Sequence, residues 1–262
     1  MTIRLASPLM LLLLAGCAAE PTGVWALTGS GGTFIEEGIS AEAMQDDCAV
    51  GFDRFVLVWG GRFIEGSGGV HVAEVPGAQV FDLVPPGPHD LGATEAPVGD
   101  HDHLHAVVQP AADAAPGNVD AATVAELGGA GLSMILQGTV TCAGGAVSFD
   151  WRFDRATGHH CFADVVIGEG QTATTAYTVA GQRLFQTALQ DFDAPLAGQP
   201  FVDADADADG EVTLAELDAV DIATPGYDLA TWSGVATLAD YVTVQTFYFL
   251  QTDGSQCVPE IL

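Results

Sequence analysis

The sequence predicts a mainly β fold, an antiparallel β-sandwich followed by a C-terminal helical segment, on three observations. Short apolar or alternating runs recur between turn residues through the first two thirds of the chain. The 262 residues include 32 glycines to supply turns, and 48% apolar content is enough to bury a substantial core. Beyond Gly181 the two-residue alternation gives way to helical spacing.

In chain order, Met1 to Arg4 is a short positive start and Leu5 to Leu14 an apolar core. About ten apolar residues fall well short of the roughly 20 that span a bilayer, so 1–16 reads as a cleaved leader. Residues 17–32 are expected to be a tether. Over 33–181, strands are predicted at Gly51 to Trp59, Val70 to Val75, Gln79 to Leu83, His101 to Val108, Leu132 to Cys142, Val147 to Phe153, His160 to Ile167 and Thr172 to Val179. Val140 to Asp150 is the clearest hairpin, with Ala143-Gly144-Gly145 turning between apolar stretches. Over 182–262, helices are predicted at Leu184 to Leu189, Leu214 to Val220 and Leu238 to Leu250. Such short helices need a sheet to cover, so the segment should pack on the sandwich rather than form a free domain.

Charge narrows the partners. The chain has no lysine and six arginines against 35 acidic residues, a formal charge of −29 that becomes −30 when Arg4 leaves with the leader (−29 − 1). A polyanion is repelled by phosphate backbones, which excludes nucleic acid as a partner, and direct docking onto anionic lipid is disfavoured in the same way. The balance suits multivalent cations or a saline milieu, and equally a general acidic habit that keeps a protein soluble.

Leu14-Ala15-Gly16-Cys17 resembles the lipobox of bacterial lipoproteins. The resemblance implies cleavage before Cys17, acylation of its thiol and new amine, and membrane attachment through those chains, at about 0.8 kcal/mol per buried CH₂. Ala18 follows, rather than the aspartate that often retains such proteins at the inner membrane, so the resemblance implies the outer membrane. Cys48, Cys142, Cys161 and Cys257 remain. An even number in an oxidising compartment predicts two disulfides, with three pairings open that spacing alone does not separate. No CxxC occurs, which argues against a thioredoxin-like site or a zinc ribbon.

Asp205-Ala-Asp207-Ala-Asp209-Gly210-Glu211-Val212-Thr213-Leu214-Ala215-Glu216 spaces acidic oxygens two residues apart, turns at a glycine and ends in a glutamate. It resembles an EF-hand loop. The resemblance implies calcium ligands from the side chains of Asp205, Asp207 and Asp209, the Glu211 carbonyl, Thr213 through a water, and both carboxylate oxygens of Glu216. Seven carboxylates between Asp203 and Asp218 would repel one another without a cation. The plainer reading is an acidic turn whose Thr213-x-x-Glu216 simply caps a helix, and the two readings are compatible. Pro195, Gly198 and Pro200 lie where the family has an entering helix, and there is no second loop. A lone, irregularly entered loop is expected to stabilise rather than signal, as in extracellular modules that bind at about 10⁻⁴ to 10⁻³ M.

His101-Asp102-His103-Leu104-His105 alternates imidazoles along a predicted strand. Same-face imidazoles can share a zinc or copper ion, so His101, His103 and His105 form an alternative metal site, with His71, His89, His159 and His160 as further donors that the sequence does not place nearby. The plainer reading is the solvated face of a half-buried strand. Histidine richness alone also resembles periplasmic copper-binding lipoproteins. Nucleophile-elbow, HExxH, P-loop, dinucleotide and Ser-x-x-Lys motifs do not occur, which leaves a zinc hydrolase built on His101 and His103, supported by Asp100 or Asp102, as the weaker alternative to a binding or structural protein. No residue identifies a protein partner.

Overall fold

A computed structural model of the chain describes residues 20–66, 69–230, 232–252 and 255–262. The expected leader and Cys17 lie outside the described residues. Among the described residues two sheets form a mainly β, sandwich-like fold. The smaller has five strands in the order β14 (Ser255–Gln256), β13 (Leu250–Thr252), β11 (Thr172–Val179), β1 (Thr22–Ser30) and β5 (His89–Pro97). The larger runs β12 (Glu211–Val212), β9 (Gly145–Phe153), β8 (Met134–Cys142), β2 (Ala49–Gly66), β6 (Gly99–Val108), β10 (Thr157–Ile167) and β15 (Val258–Ile261). Beside this path, β3 (Val70–Val75) and β4 (Gln79–Asp82) pair with β2, and β7 (Ala115–Pro116) pairs with β4.

β2 organises the larger sheet. Phe55, Leu57 and Trp59 enter the main core, while Val56 and Val58 enter a second apolar cluster with Val80, Ile135 and Leu127. Burial on both faces explains the unbroken apolar run from Phe55 to Trp59. Leu127 comes from α2 (Ala121–Ala130), which, like the short α1 (Gly32–Glu36), has no counterpart among the helices expected from the sequence. It starts where the Asp120 side chain accepts from the Thr123 N–H at 2.8 Å and ends at Gly131 with φ +65°. A strand buried this way must pair its backbone throughout. β2 does so by changing partners, from β8 along Ala49–Leu57 to β6 along Trp59–Glu65. Val58 marks the change: its N–H donates to Ser133 O at 3.0 Å and its carbonyl accepts from the Gln109 N–H at 3.2 Å.

The expected tether over 17–32 is corrected by β1. Gly23, Trp25, Leu27 and Gly29 alternate into the core, and the Trp25 indole N–H donates to Thr175 Oγ1 at 3.0 Å. A strand with that much apolar surface is placed in the sheet, not left in water. β1 pairs antiparallel with β5 but parallel with β11, so the sandwich is not purely antiparallel. The sheets meet closely at Gly29. A Cβ there would lie 2.5 Å from the Trp59 ring, which packs edge-on to Tyr177 at 5.6 Å between centroids.

The C-terminal segment is less helical than expected and feeds both sheets, through β13 and β15. The helix predicted over Leu184 to Leu189 is a single 3-10 turn, Gly181–Phe185. The chain instead wraps the buried Arg183, whose guanidinium donates to Leu189 O at 2.6 Å and lies 4.3 Å over the Phe192 ring. Burial pulls that guanidinium down to about 10. The last helix stops at Gln245, because Phe249 and Leu250 are buried and Leu250 opens β13. Its Tyr241 hydroxyl donates to Gln186 O at 2.8 Å, tying it to the 3-10 turn.

The cysteines pair Cys48–Cys142 and Cys161–Cys257. The first joins the residue before β2 to the end of β8, and the second joins β10 to the residue before β15. Sequence separations of 94 and 96 close long loops, for which chain entropy alone gives about 4 to 5 kcal/mol each.

Gly29→Ala is expected to cost about 1 to 3 kcal/mol, because the Trp59 ring cannot retreat from a packed core. Gly144→Ala, where an added Cβ meets nothing within 4 Å, should leave the urea midpoint nearly unchanged.

Candidate metal centres

The acidic loop is held by the sheet on one side and by a short helix on each end. Before it, α3 (Gln199–Val202) carries Pro200 in its first turn. Its start is capped from far away, the Asp46 carboxylate accepting from the N–H groups of Gly198 (2.8 Å) and Gln199 (2.7 Å). In the loop, the carboxylates of Asp205, Asp207 and Asp209 each place an oxygen within 4.8 Å of the other two. Backbone amides orient them. Asp209 N–H bonds both Asp205 Oδ1 and Asp207 Oδ1 at 3.2 Å, and Gly210 N–H bonds Asp205 Oδ2 at 3.1 Å. Gly210 makes the turn at φ +84°, a conformation glycine takes without steric cost.

After the turn the chain joins the sandwich. Gly210 O accepts from both the N–H (2.8 Å) and the hydroxyl (3.1 Å) of Ser148, and Glu211–Val212 pairs parallel with Ser148–Phe149. Val212 is fully buried, and its carbonyl accepts from the Trp151 indole N–H at 3.0 Å. Helix α4 (Leu214–Asp218) then starts from a capping box. Thr213 N–H and Oγ1 both donate to Glu216 Oε2, at 2.8 and 2.9 Å. Glu216 Oε1 reaches back across the loop to the Ala206 N–H at 3.3 Å. These bonds, the Thr213 N–H above all, hold the Glu216 carboxyl below the usual carboxylate range.

The six residues of the calcium reading therefore run from the loop through β12 into α4, and three of them, Asp205, Asp207 and Asp209, converge. The donors are oxygen only, as calcium prefers. Three of Glu216's roughly four lone-pair directions are occupied, so closure by both of its oxygens requires release of the Ala206 or a Thr213 bond.

The histidines are arranged differently from the expectation. His101, His103 and His105 do not converge. The pairing of β6 with β10 shifts register between Phe162 and Val165, opposite His101 to His103. His101 is buried with Nε2 3.1 Å from Pro97 O, beside a cleft lined by Asp100, Asp102 and Asp164. His103 pairs through Nδ1 with Asp102 Oδ1 at 2.6 Å. His105 instead meets His160 on β10 and Glu65 on β2, and the donor atoms of these three all lie within 4.8 Å of one another. Neither Glu65 nor the partnership with His160 was readable in the sequence, since both depend on strand register. Burial, followed by the neighbouring His105 and His103, lowers the proton affinity of His160.

His159 points the other way, into the core, 1% exposed and edge-on to Phe249 at 5.8 Å. Burial pushes its imidazole down to about 3.

Comparison of the chain with family models, with curated proteins and with solved structures finds no match. Among the described residues no helix is long and apolar enough to cross a membrane.

The buried His159 gives an acid-sensitivity prediction. Its folded value is depressed, so the unfolded chain takes up the proton first, and stability falls as pH drops from about 6.5 towards 3. In chelator, the loss of unfolding free energy between pH 7 and 4.5 should be smaller in His159→Leu than in the parent, by about 2 kcal/mol.

Proposed function

We propose that this chain is a lipid-anchored extracytoplasmic protein in which a single calcium ion, bound by Asp205, Asp207, Asp209, Glu211, Thr213 and Glu216, stabilises a binding or structural scaffold. The observation that carries the reading is the convergence of three carboxylates on a loop whose next two residues are a strand of the sandwich. Calcium at that point joins the C-terminal segment to β9. It acts by linkage: an ion bound only by the folded form adds about 2.7 kcal/mol at a hundredfold excess over Kd. The anchor is the acylated Cys17 that the lipobox resemblance implies. Strand β1 starts at Thr22, so the intervening chain reaches at most about 17 Å, and an anchored sandwich sits close against the membrane.

The test uses the protein as extracted from membranes in detergent and stripped of metal. Added calcium should raise the melting temperature, magnesium should raise it less, and Glu216→Gln and Asp207→Asn should abolish most of the calcium effect. An identical melting temperature with and without calcium would sink the reading. In the same cells, Cys17→Ser should move the protein from the membrane fraction to the soluble one, and its persistence in the membrane would contradict the anchor.

A further inference from the structure

We propose that Glu65, His105 and His160 bind one divalent transition-metal ion of the zinc type on the outer face of the larger sheet. The site is separate from the acidic loop and uses a different set of histidines from the alternating trio on β6. Its three donors come from three adjacent strands, β2, β6 and β10, whose register pairs Phe63 with His105 and His105 with His160. Direct cross-strand neighbours hold their Cβ atoms about 4.5 to 5.5 Å apart, which sets the spacing of His105 and His160, while Glu65, paired with His103, is the diagonal neighbour of His105 at about 7 to 8 Å and reaches it with its longer side chain.

The second argument is what these groups lack. The Nε2 atoms of His105 and His160 are both buried without a hydrogen-bond partner. Glu65 Oε1 stands 3.4 Å from His105 Nε2. That contact is not a formed hydrogen bond, yet it matches the ligand-to-ligand edge of about 3.3 Å in a tetrahedral site with metal bonds of 2.0 to 2.1 Å. Two imidazole nitrogens and a carboxylate are a donor set of catalytic zinc sites, and they suit copper(II) as well.

The surroundings fit a lined, partly shielded site. His105 stacks on Phe63 with centroids 4.4 Å apart, and His160 stacks on Phe162 at 5.1 Å. The two imidazoles themselves stack at 4.3 Å with 21° between their planes. Lone pairs lie in the ring plane, so loading must open that stack by rotation about χ2. His103, with its ring 5.0 Å from that of His160, is a further imidazole beside the site. Its Nδ1 is engaged by Asp102, which leaves Nε2 as the donor for a fourth position.

The experiment is a zinc titration of the detergent-extracted protein with calcium saturating, read by calorimetry against a competing chelator, with zinc-edge X-ray absorption on the loaded sample. One zinc per chain with at least two imidazole ligands is expected. Glu65→Gln and His160→Asn should each weaken binding about tenfold or more, since even groups that only support a ligand cost 10- to 100-fold when removed. His101→Asn should bind as the parent does. Metal-free melting curves establish that each variant is folded, and a variant that does not fold is replaced by His105→Gln. No saturable zinc binding by the parent, unchanged affinity in Glu65→Gln and His160→Asn, or an equal loss in His101→Asn each overturns the proposal.

Discussion

Continuous backbone pairing along β2 is the constraint on which the rest of the molecule depends. Its 18 residues are buried on both faces over Phe55 to Trp59, so every N–H and C=O there needs a protein partner. No single neighbouring strand covers that length. The exchange of β8 for β6 at Val58 solves the problem and brings two otherwise distant parts of the chain into one sheet. Buried Arg62 belongs to the same solution, donating to Trp59 O and Gln79 Oε1 at 3.3 Å each, where the strand passes from β4 to β3.

Both candidate sites hang from the ends of this strand. At its start, Cys48 is bonded to Cys142, and Asp46 caps the helix that leads into the acidic loop. At its end, Glu65 faces His105. Roughly 50 Å of extended chain separates the two ends, so the sites are built independently although one element serves both. Their chemistry differs accordingly. A loop can wrap many oxygen donors around one point, which suits a hard cation with a high coordination number. A sheet offers a few donors at fixed spacing, which suits imidazole and a small ion.

Much of this was legible in the sequence where the signal is local. Alternation placed β3 and β11 to the residue, the Ala143-Gly144 turn placed the β8–β9 hairpin, and the spacing of Asp205, Asp207, Asp209 and Gly210 placed a loop that does gather its carboxylates. Signals that need tertiary context were misread. Residues 22–30 carry small and polar residues on either side of Trp25 and Leu27, and only the sheet around them makes that pattern a strand. Leu184 to Leu189 has helical spacing, but Arg183 needs carbonyls around it and the chain curls to provide them. Alternation alone predicted that His101, His103 and His105 would share a face. It could not foresee the register shift opposite His101, nor that His160 two strands' width from Glu65 would complete a different group. Asp120 and Gly131 were sufficient to mark α2 and were available in the sequence.

Long-wavelength anomalous diffraction from crystals grown with calcium would show whether the proposed ion is coupled to the sandwich through β12. One strong calcium peak is expected, bounded by the carboxylates of Asp205, Asp207 and Asp209, the Glu211 carbonyl and Glu216, with Gly210 O still accepting from Ser148. A loop without an anomalous peak at saturating calcium, or a peak there with Glu211–Val212 detached from β9, would contradict it.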